Sequence, residues 1–173
     1  KAPMFGFFET PEKIQLKFSK ALQAGDLKSA QKYLDKGADV NKDTSSAFDH
    51  TLSAAAYRAT MDADYWKVFY FLLDAGANIG AASQENIEIL KYAVSAKETD
   101  AVKRLLDKGF DPSARCREGE TSLHVAAKGG NIWILKALLE KSGNINVRNV
   151  YGDTLLHSAV SENDAKMVSF LLN

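Results

Sequence analysis

Apolar residues along this chain come in short bursts with helical spacing. Val102, Leu105 and Leu106 stand at i, i+3 and i+4, and so do Ile134, Ala137 and Leu138. That spacing gathers apolar side chains on one side of a helix and predicts amphipathic helices there. Upstream of such bursts lies a second run rich in small residues: Ala55 and Ala56, Ala93, Ala126 and Ala127, and Ala159. These runs are expected to be helices that let neighbouring backbones approach closely. Gly37, Gly76 and Gly109 follow the second of these helices, the amphipathic one, where a C-terminal glycine cap belongs. The chain thus reads as helix, short turn, helix, loop, several times over. One such pair cannot bury its apolar face alone, so stacked pairs must share a core.

The bursts are periodic. "YLDKGADVN" (33–41), "LLDAGANIG" (72–80), "LLDKGFDPS" (105–113) and the variant "LLEKSGNINV" (138–147) end alike. Their leucines Leu34, Leu73, Leu106 and Leu139, with Leu172, are spaced 39, 33, 33 and 33 residues apart. Upstream, "TSLHVAA" (121–127) recurs as "TLLHSAV" (154–160), with looser copies at "HTLSAAA" (50–56) and "EILKYAV" (88–94). Leu52, Leu90, Leu123 and Leu156 hold one slot of this series, which Phe18 fills in the first unit. His124 and His157 are twins at the repeat period, as are Thr121 and Thr154, and Gly119 and Gly152.

These two phased motifs resemble the ankyrin repeat, over residues 12–173. Its Thr-Pro-Leu-His-x-Ala and Gly-Ala-Asp-Val-Asn patterns are matched in "GETSLHVAAKGGN", "LLEKSGNIN" and "KGADVN". The proline slot departs, holding Thr51, Ile89, Ser122 and Leu155. Asn86 replaces the turn glycine of the third unit, and the left-handed turn is expected to survive because Asn tolerates that conformation. The resemblance implies an all-α solenoid of stacked helix-turn-helix units with protruding loops. The units are placed at 12–44, 45–82, 83–115, 116–148 and 149–173, behind an N-terminal apolar segment at 1–11.

Composition fits a globular body. Apolar residues make up 46% and charged residues 25% of the 173, and 22 basic residues balance 22 acidic ones. This balance carries no strong positive bias of the kind a general nucleic-acid binder shows, and no apolar run is long enough for membrane insertion. The single cysteine, Cys116, forbids an internal disulfide and suits a reducing, cytoplasmic setting. The chain begins at Lys1 and its fifth unit has no closing glycine loop. A longer natural protein is therefore expected, with this piece a monomer.

No phosphate loop, dinucleotide fingerprint, zinc-protease helix or nucleophile elbow occurs. Cys116 has no base and orienting group assigned to it. His124 and His157 are read as architecture, because stacking would hold them one repeat apart. Each ring is expected to hydrogen-bond the adjoining turn. No catalytic residue, metal ligand or cofactor is assigned.

Function is sought where the repeat breaks its own rule. Leu52 to Leu73 spans 21 residues, against 16 for Leu90–Leu106, Leu123–Leu139 and Leu156–Leu172. Five extra residues therefore lie near "YRATMDADYW" (57–66). Tyr57, Arg58, Tyr65 and Trp66 are of the types enriched in binding hot spots. The insertion is either a binding element or an extra helical turn with Trp66 in the core. The entry loop 41–51 and the segment with Met4, Phe5, Phe7 and Phe8 are further departures. Thr10 before Pro11 predicts a helix start there. Lys13, Gln15, Lys17 and Lys20 are expected on its polar outer side.

The resemblance also implies where partners dock: loop tips and the exposed side of the first helices. By position this adds Asp49, Glu85, Arg115, Arg117, Glu118, Glu120, Lys128, Arg148, Tyr151, Asp153 and Ser161. Arg115, Arg117, Lys128 and Arg148 would together form a local basic patch, suited to an acidic peptide; the alternative is a mixed field, because Glu118, Glu120 and Asp153 interleave with them. The reading is a protein–protein interaction module that recruits, scaffolds or inhibits a protein partner through a concave face and loop tips. The alternative is a non-catalytic binding arm of a longer enzyme or bacterial-type effector.

Overall fold

A computed structural model describes residues 9–42, 52–78, 84–116 and 118–173, except the side chains of residues 84–86. The helices come in pairs: α1 (Pro11–Gln23) with α2 (Leu27–Leu34), α3 (Leu52–Met61) with α4 (Tyr65–Asp74), α5 (Gln84–Ser95) with α6 (Thr99–Asp107), α7 (Ser122–Lys128) with α8 (Ile132–Ser142), and α9 (Leu155–Ser161) with α10 (Ala165–Leu172). Strands are absent among the described residues. Two compact units form, one up to Asn78 and one from Ile79.

In the first unit α1 starts as its sequence predicts. The Thr10 hydroxyl accepts from the Lys13 N–H at 3.4 Å, with Pro11 in the first turn. Phe18, Leu22 and Ala30 are buried between α1 and α2. Gln15 corrects the expected polar outer side, because it is only 5% exposed. Its amide donates to the Asp39 carbonyl at 2.8 Å and accepts from the Asp39 N–H at 2.9 Å. It clamps the loop that follows α2. Lys13, Lys17 and Lys20 are exposed as expected. The apolar segment at 1–8 and most of the entry loop, 43–51, lie outside the described residues.

Glu9 ties α1 to the turn after α2 at the surface by accepting from Lys17 and Lys36. These ammonium groups hold its carboxyl down to about 2. The sign follows directly: a depressed carboxyl stabilises above its unfolded value and loses that contribution as pH falls towards about 2. A carbon-13 titration should find Glu9 still ionised at pH 3.5. A midpoint near the ordinary glutamate value would show that the pair does not form.

The five-residue insertion is extra helix. Position by position, α7 ends at Lys128 where α3 has Tyr57, yet α3 continues four residues further to Met61. The fifth residue lengthens the start of α4, which opens at Tyr65.

In the second unit α7 packs on both α5 and α9, and α8 packs on α6. Leu105, Leu123, Ile134, Leu135, Leu138 and Leu155 are all at 0% exposure. Each such burial is worth about 1.5–3 kcal/mol relative to exposure. Side-chain caps start α8 and α10: Asn131 accepts from Ile134 N–H and Asp164 from Met167 N–H, both at 3.0 Å. The turn inside each pair sets Lys97, Gly130 and Asn163 at φ +59°, +67° and +55°, again one period apart.

The third unit overturns the expectation for Asn86. Helix α5 already begins at Gln84, so Asn86 sits inside the helix and no left-handed turn is made there. Without a glycine to break it, and with Gln84 and Glu85 both good helix formers, the helix extends upstream through the place where the fourth and fifth units turn.

Candidate protein-interaction surface

The insertion in the first unit is stitched inward. Arg58 lies over the Tyr65 ring at 4.4 Å, and the Tyr65 hydroxyl donates to the Gln23 carbonyl at 2.7 Å. Both side chains therefore join helices. Trp66 was one of the candidate contacts, and the structure corrects that: it is 7% exposed and packs edge-on to Phe69 at 5.2 Å. A Trp on the apolar side of α4, beside Val68, Phe69 and Leu72, is buried by the same periodicity that buries them. What the insertion leaves at the surface is Tyr57, 49% exposed, and Met61, 76% exposed. Asp49 lies outside the described residues, and Glu85 is placed in α5 by its backbone alone.

In the second unit the turns before α7 and α9 carry the expected residues. Isolated bridges pair Arg115 with Thr121 and Arg148 with Thr154, so each turn is a short hairpin. The turns also bind one another: Val150 N–H donates to the Gly119 carbonyl at 3.2 Å. Gly119 has φ +79°, and a Cβ there would stand 2.4 Å from a Val150 methyl, so glycine is required on both counts.

The basic patch does not form. The Arg115 guanidinium donates to the Arg148 carbonyl at 3.2 Å, and Arg148 donates to the Gly152 carbonyl at 2.7 Å. Lys128 is ion-paired with Glu120. The cations bind backbone oxygens or a neighbouring acid, leaving a mixed field. Arg117 lies outside the described residues.

His124 is fully buried. Its Nδ1 meets the Thr121 hydroxyl at 2.8 Å and its Nε2 meets the Asp153 carbonyl at 2.9 Å. The carbonyl can only accept, which assigns the proton to Nε2 and leaves Nδ1 to accept from the hydroxyl. The ring thus fastens its own turn to the next one, the architectural role read from its spacing. His157 repeats the first half of this: its Nδ1 accepts from the Thr154 N–H at 3.2 Å, completing a capping box.

Cys116 is buried and donates to Glu118 at 3.3 Å. Glu88, Cys116 and Glu118 bring their ligand-type atoms within 4.8 Å of one another. Lys91 lies among them, 3.4 Å from Glu88 and paired with Glu118. Burial opposes the lysine's charge, but the two carboxylates outweigh it and hold its pKa up. Burial also pushes the Cys116 thiol up. A metal ion would have to displace that ammonium and strip a reluctant thiol, so the donor set fits an ion-pair staple better than a metal.

One hollow, of about 480 Å³, lies on the exposed side of the first helices, lined by Lys128, Asp153, Leu156, His157, Ser158, Val160 and Ser161. Of the expected residues it gathers Lys128, Asp153 and Ser161. Tyr151, 77% exposed, stands on the turn that leads to it. The sequence reading missed Val160, 57% exposed, and Trp133, 80% exposed. For Trp133 the signal was present, since it falls off the buried stripe of Ile134, Leu135 and Leu138 on α8.

Paired helices recurring at a 33-residue period, joined by hydrogen-bonded hairpin turns, define a stacked-repeat protein. The chain belongs to the ankyrin repeat family: the family described as ankyrin repeats (3 copies) matches residues 52–149 and again 90–173. Modules of this family are generally protein–protein interaction domains and typically non-catalytic. No similar protein was found among curated ones. No helix among the described residues is long and apolar enough to cross a membrane.

Proposed function

We propose that this chain is a binding module that recruits or scaffolds a protein partner in the cytoplasm, and that the second unit makes the main contact. The observation that carries this reading is the hollow on α7 and α9, with Lys128 and Asp153 as polar rim, Leu156 and Val160 as apolar floor, and Tyr151 beside it. An apolar concavity with a few polar groups at its edge is what a recognition site needs. The neighbouring Tyr is of the type that dominates interface energetics. The mixed charge of the rim selects a partner of mixed charge rather than a purely acidic segment. Tyr57 and Met61 in the first unit form a second, smaller contact.

The test is capture of partners from a cytosolic extract by the wild-type chain and by a Tyr151→Ala/Lys128→Ala variant. Both side chains are exposed, so the variant should keep its helical content and melting temperature. Loss of about 10-fold or more in captured partner is expected, since hot-spot truncation costs about 2 kcal/mol. An undiminished partner in the folded variant would refute the assignment to this surface.

A further inference from the structure

The chain has a single cysteine, so no disulfide can form within it. The joint between the third and fourth helix pairs gives that thiol a different neighbour. Helix α5 carries Glu88 and Lys91, and the turn before α7 carries Cys116 and Glu118. One period on, the same four slots hold Thr121, His124, Asn149 and Tyr151. That later joint is made by the His124 ring, which crosses to the Asp153 carbonyl. At the earlier joint all four slots have changed, and Lys91 crosses from the histidine slot to Glu118 instead.

The change sets an amine beside a thiol. Cys116 Sγ donates to Glu118 Oε2 at 3.3 Å, and the Lys91 ammonium donates to the same oxygen. Lys91 also donates to Glu88 at 3.4 Å. A Glu88 oxygen, Cys116 Sγ and a Glu118 oxygen all lie within 4.8 Å of one another. Sulfur and nitrogen therefore share one acceptor while belonging to two different elements. Cys116 is 5% exposed and the Lys91 side chain 19%. The Glu118 side chain that covers them is 64% exposed, so a small oxidant reaches the thiol when this surface carboxylate swings aside.

We infer that Cys116 and Lys91 form a redox-reversible sulfur–nitrogen cross-link that locks α5 to the turn before α7. The oxidant is a hydroperoxide. The thiol gives up its proton and attacks the peroxide: an S–O bond forms, the O–O bond breaks, and hydroxide leaves as water with that proton. Sulfur is oxidised by two electrons and the peroxide is reduced. The sulfenic acid so formed is the species that condenses with nitrogen. Lys91 loses a proton through Glu88, and its lone pair attacks sulfur: an S–N bond forms and the S–O bond breaks. The hydroxyl departs as a second water with one of the two protons that nitrogen sheds, and the other goes to solvent. Holding the amine beside the sulfur gives this step an intramolecular advantage over attack by a second peroxide. Burial and the bond to Glu118 push the thiol up, against the pull of Lys91. Cross-linking is therefore slow at neutral pH, and the lock answers sustained rather than passing oxidant. It goes beyond the proposed recognition role and does not rest on it.

The test is dilute whole chain treated with hydrogen peroxide at pH 8.5, followed by intact mass and peptide mapping. The wild type should lose two hydrogens, with Cys116 and Lys91 recovered in one joined peptide that dithiothreitol separates. Closing this loop should raise the melting temperature by about 5 °C or more, and the reductant should reverse the gain. Lys91→Arg keeps the positive charge but has no nucleophilic amine. Its thiol should gain oxygen atoms instead and show no reversible rise in melting temperature. An unmodified thiol in the wild type, oxygen gained at Cys116 with Lys91 free, a bond to another lysine, or a disulfide between two chains as the sole reversible product would each overturn the inference. The wild-type map decides on its own should Lys91→Arg lose helical content.

Discussion

Replacing His124 by alanine is expected to destabilise the second unit by about 2–4 kcal/mol, while the same change at His157 costs about 1 kcal/mol or less. The residues are twins in sequence, so the contrast comes from surroundings alone. Removing the His124 ring leaves the Asp153 carbonyl and the Thr121 hydroxyl short of partners in a buried place, and it opens a void. His157 is exposed, and water can replace what its capping contact with Thr154 provides. The pH dependence has a definite sign. Burial lowers the His124 pKa below its ordinary 6.5, against the opposing pull of the Asp153 carbonyl. The unfolded chain therefore takes up the proton first, and stability falls as pH drops from about 6.5 to the native value of this group. Urea unfolding followed by circular dichroism at pH 7.5 and 5.5 should show this loss in the wild type. Its His124 share should vanish in His124→Ala. Equal costs for the two alanine variants at pH 7.5 would show that the ring does not bridge the turns.

The fold was legible because its signal is repeated. Leucines at a fixed period, glycines after the second helices and Thr before each histidine all point to the same helix pairs. What stayed illegible depended on neighbours. Arg115 and Arg148 carry the charge of a basic patch, but whether a guanidinium faces solvent or a carbonyl is decided by the adjoining turn. Gln15 looked like part of a polar rim until the loop after α2 came back over it. Asn86 was read by analogy with a glycine slot, while helix propensity in Gln84 and Glu85 carried α5 through the turn. Periodicity along one helix cannot report these contacts, which lie a repeat away in sequence. The exposed Val160 shows the converse. Its slot is apolar throughout the array, and only the stack reveals that the described residues leave it more than half exposed.

The insertion offers the sharpest comparison, because the chain has two tryptophans and its periodicity separates them. Trp66→Ala is expected to cost about 3–5 kcal/mol, the range for truncating a large buried aromatic. Trp133→Ala should stay within about 0.5 kcal/mol. Trp66 lies edge-on to Phe69 and beside Tyr70 on α4, so its removal opens a cavity that the short helices of the first unit cannot close. Trp133 is 80% exposed on α8 and leaves no void. Each single-tryptophan variant also isolates one fluorophore. Trp133→Ala should emit at shorter wavelength than Trp66→Ala, since the remaining Trp66 is shielded from water. Equal stability losses and equal emission maxima would place Trp66 at the surface and return the insertion to the role of a binding element. The expected asymmetry would instead confine recognition in that repeat to Tyr57 and Met61, because Arg58 and Tyr65 are already engaged in holding α3 and α4 to α1.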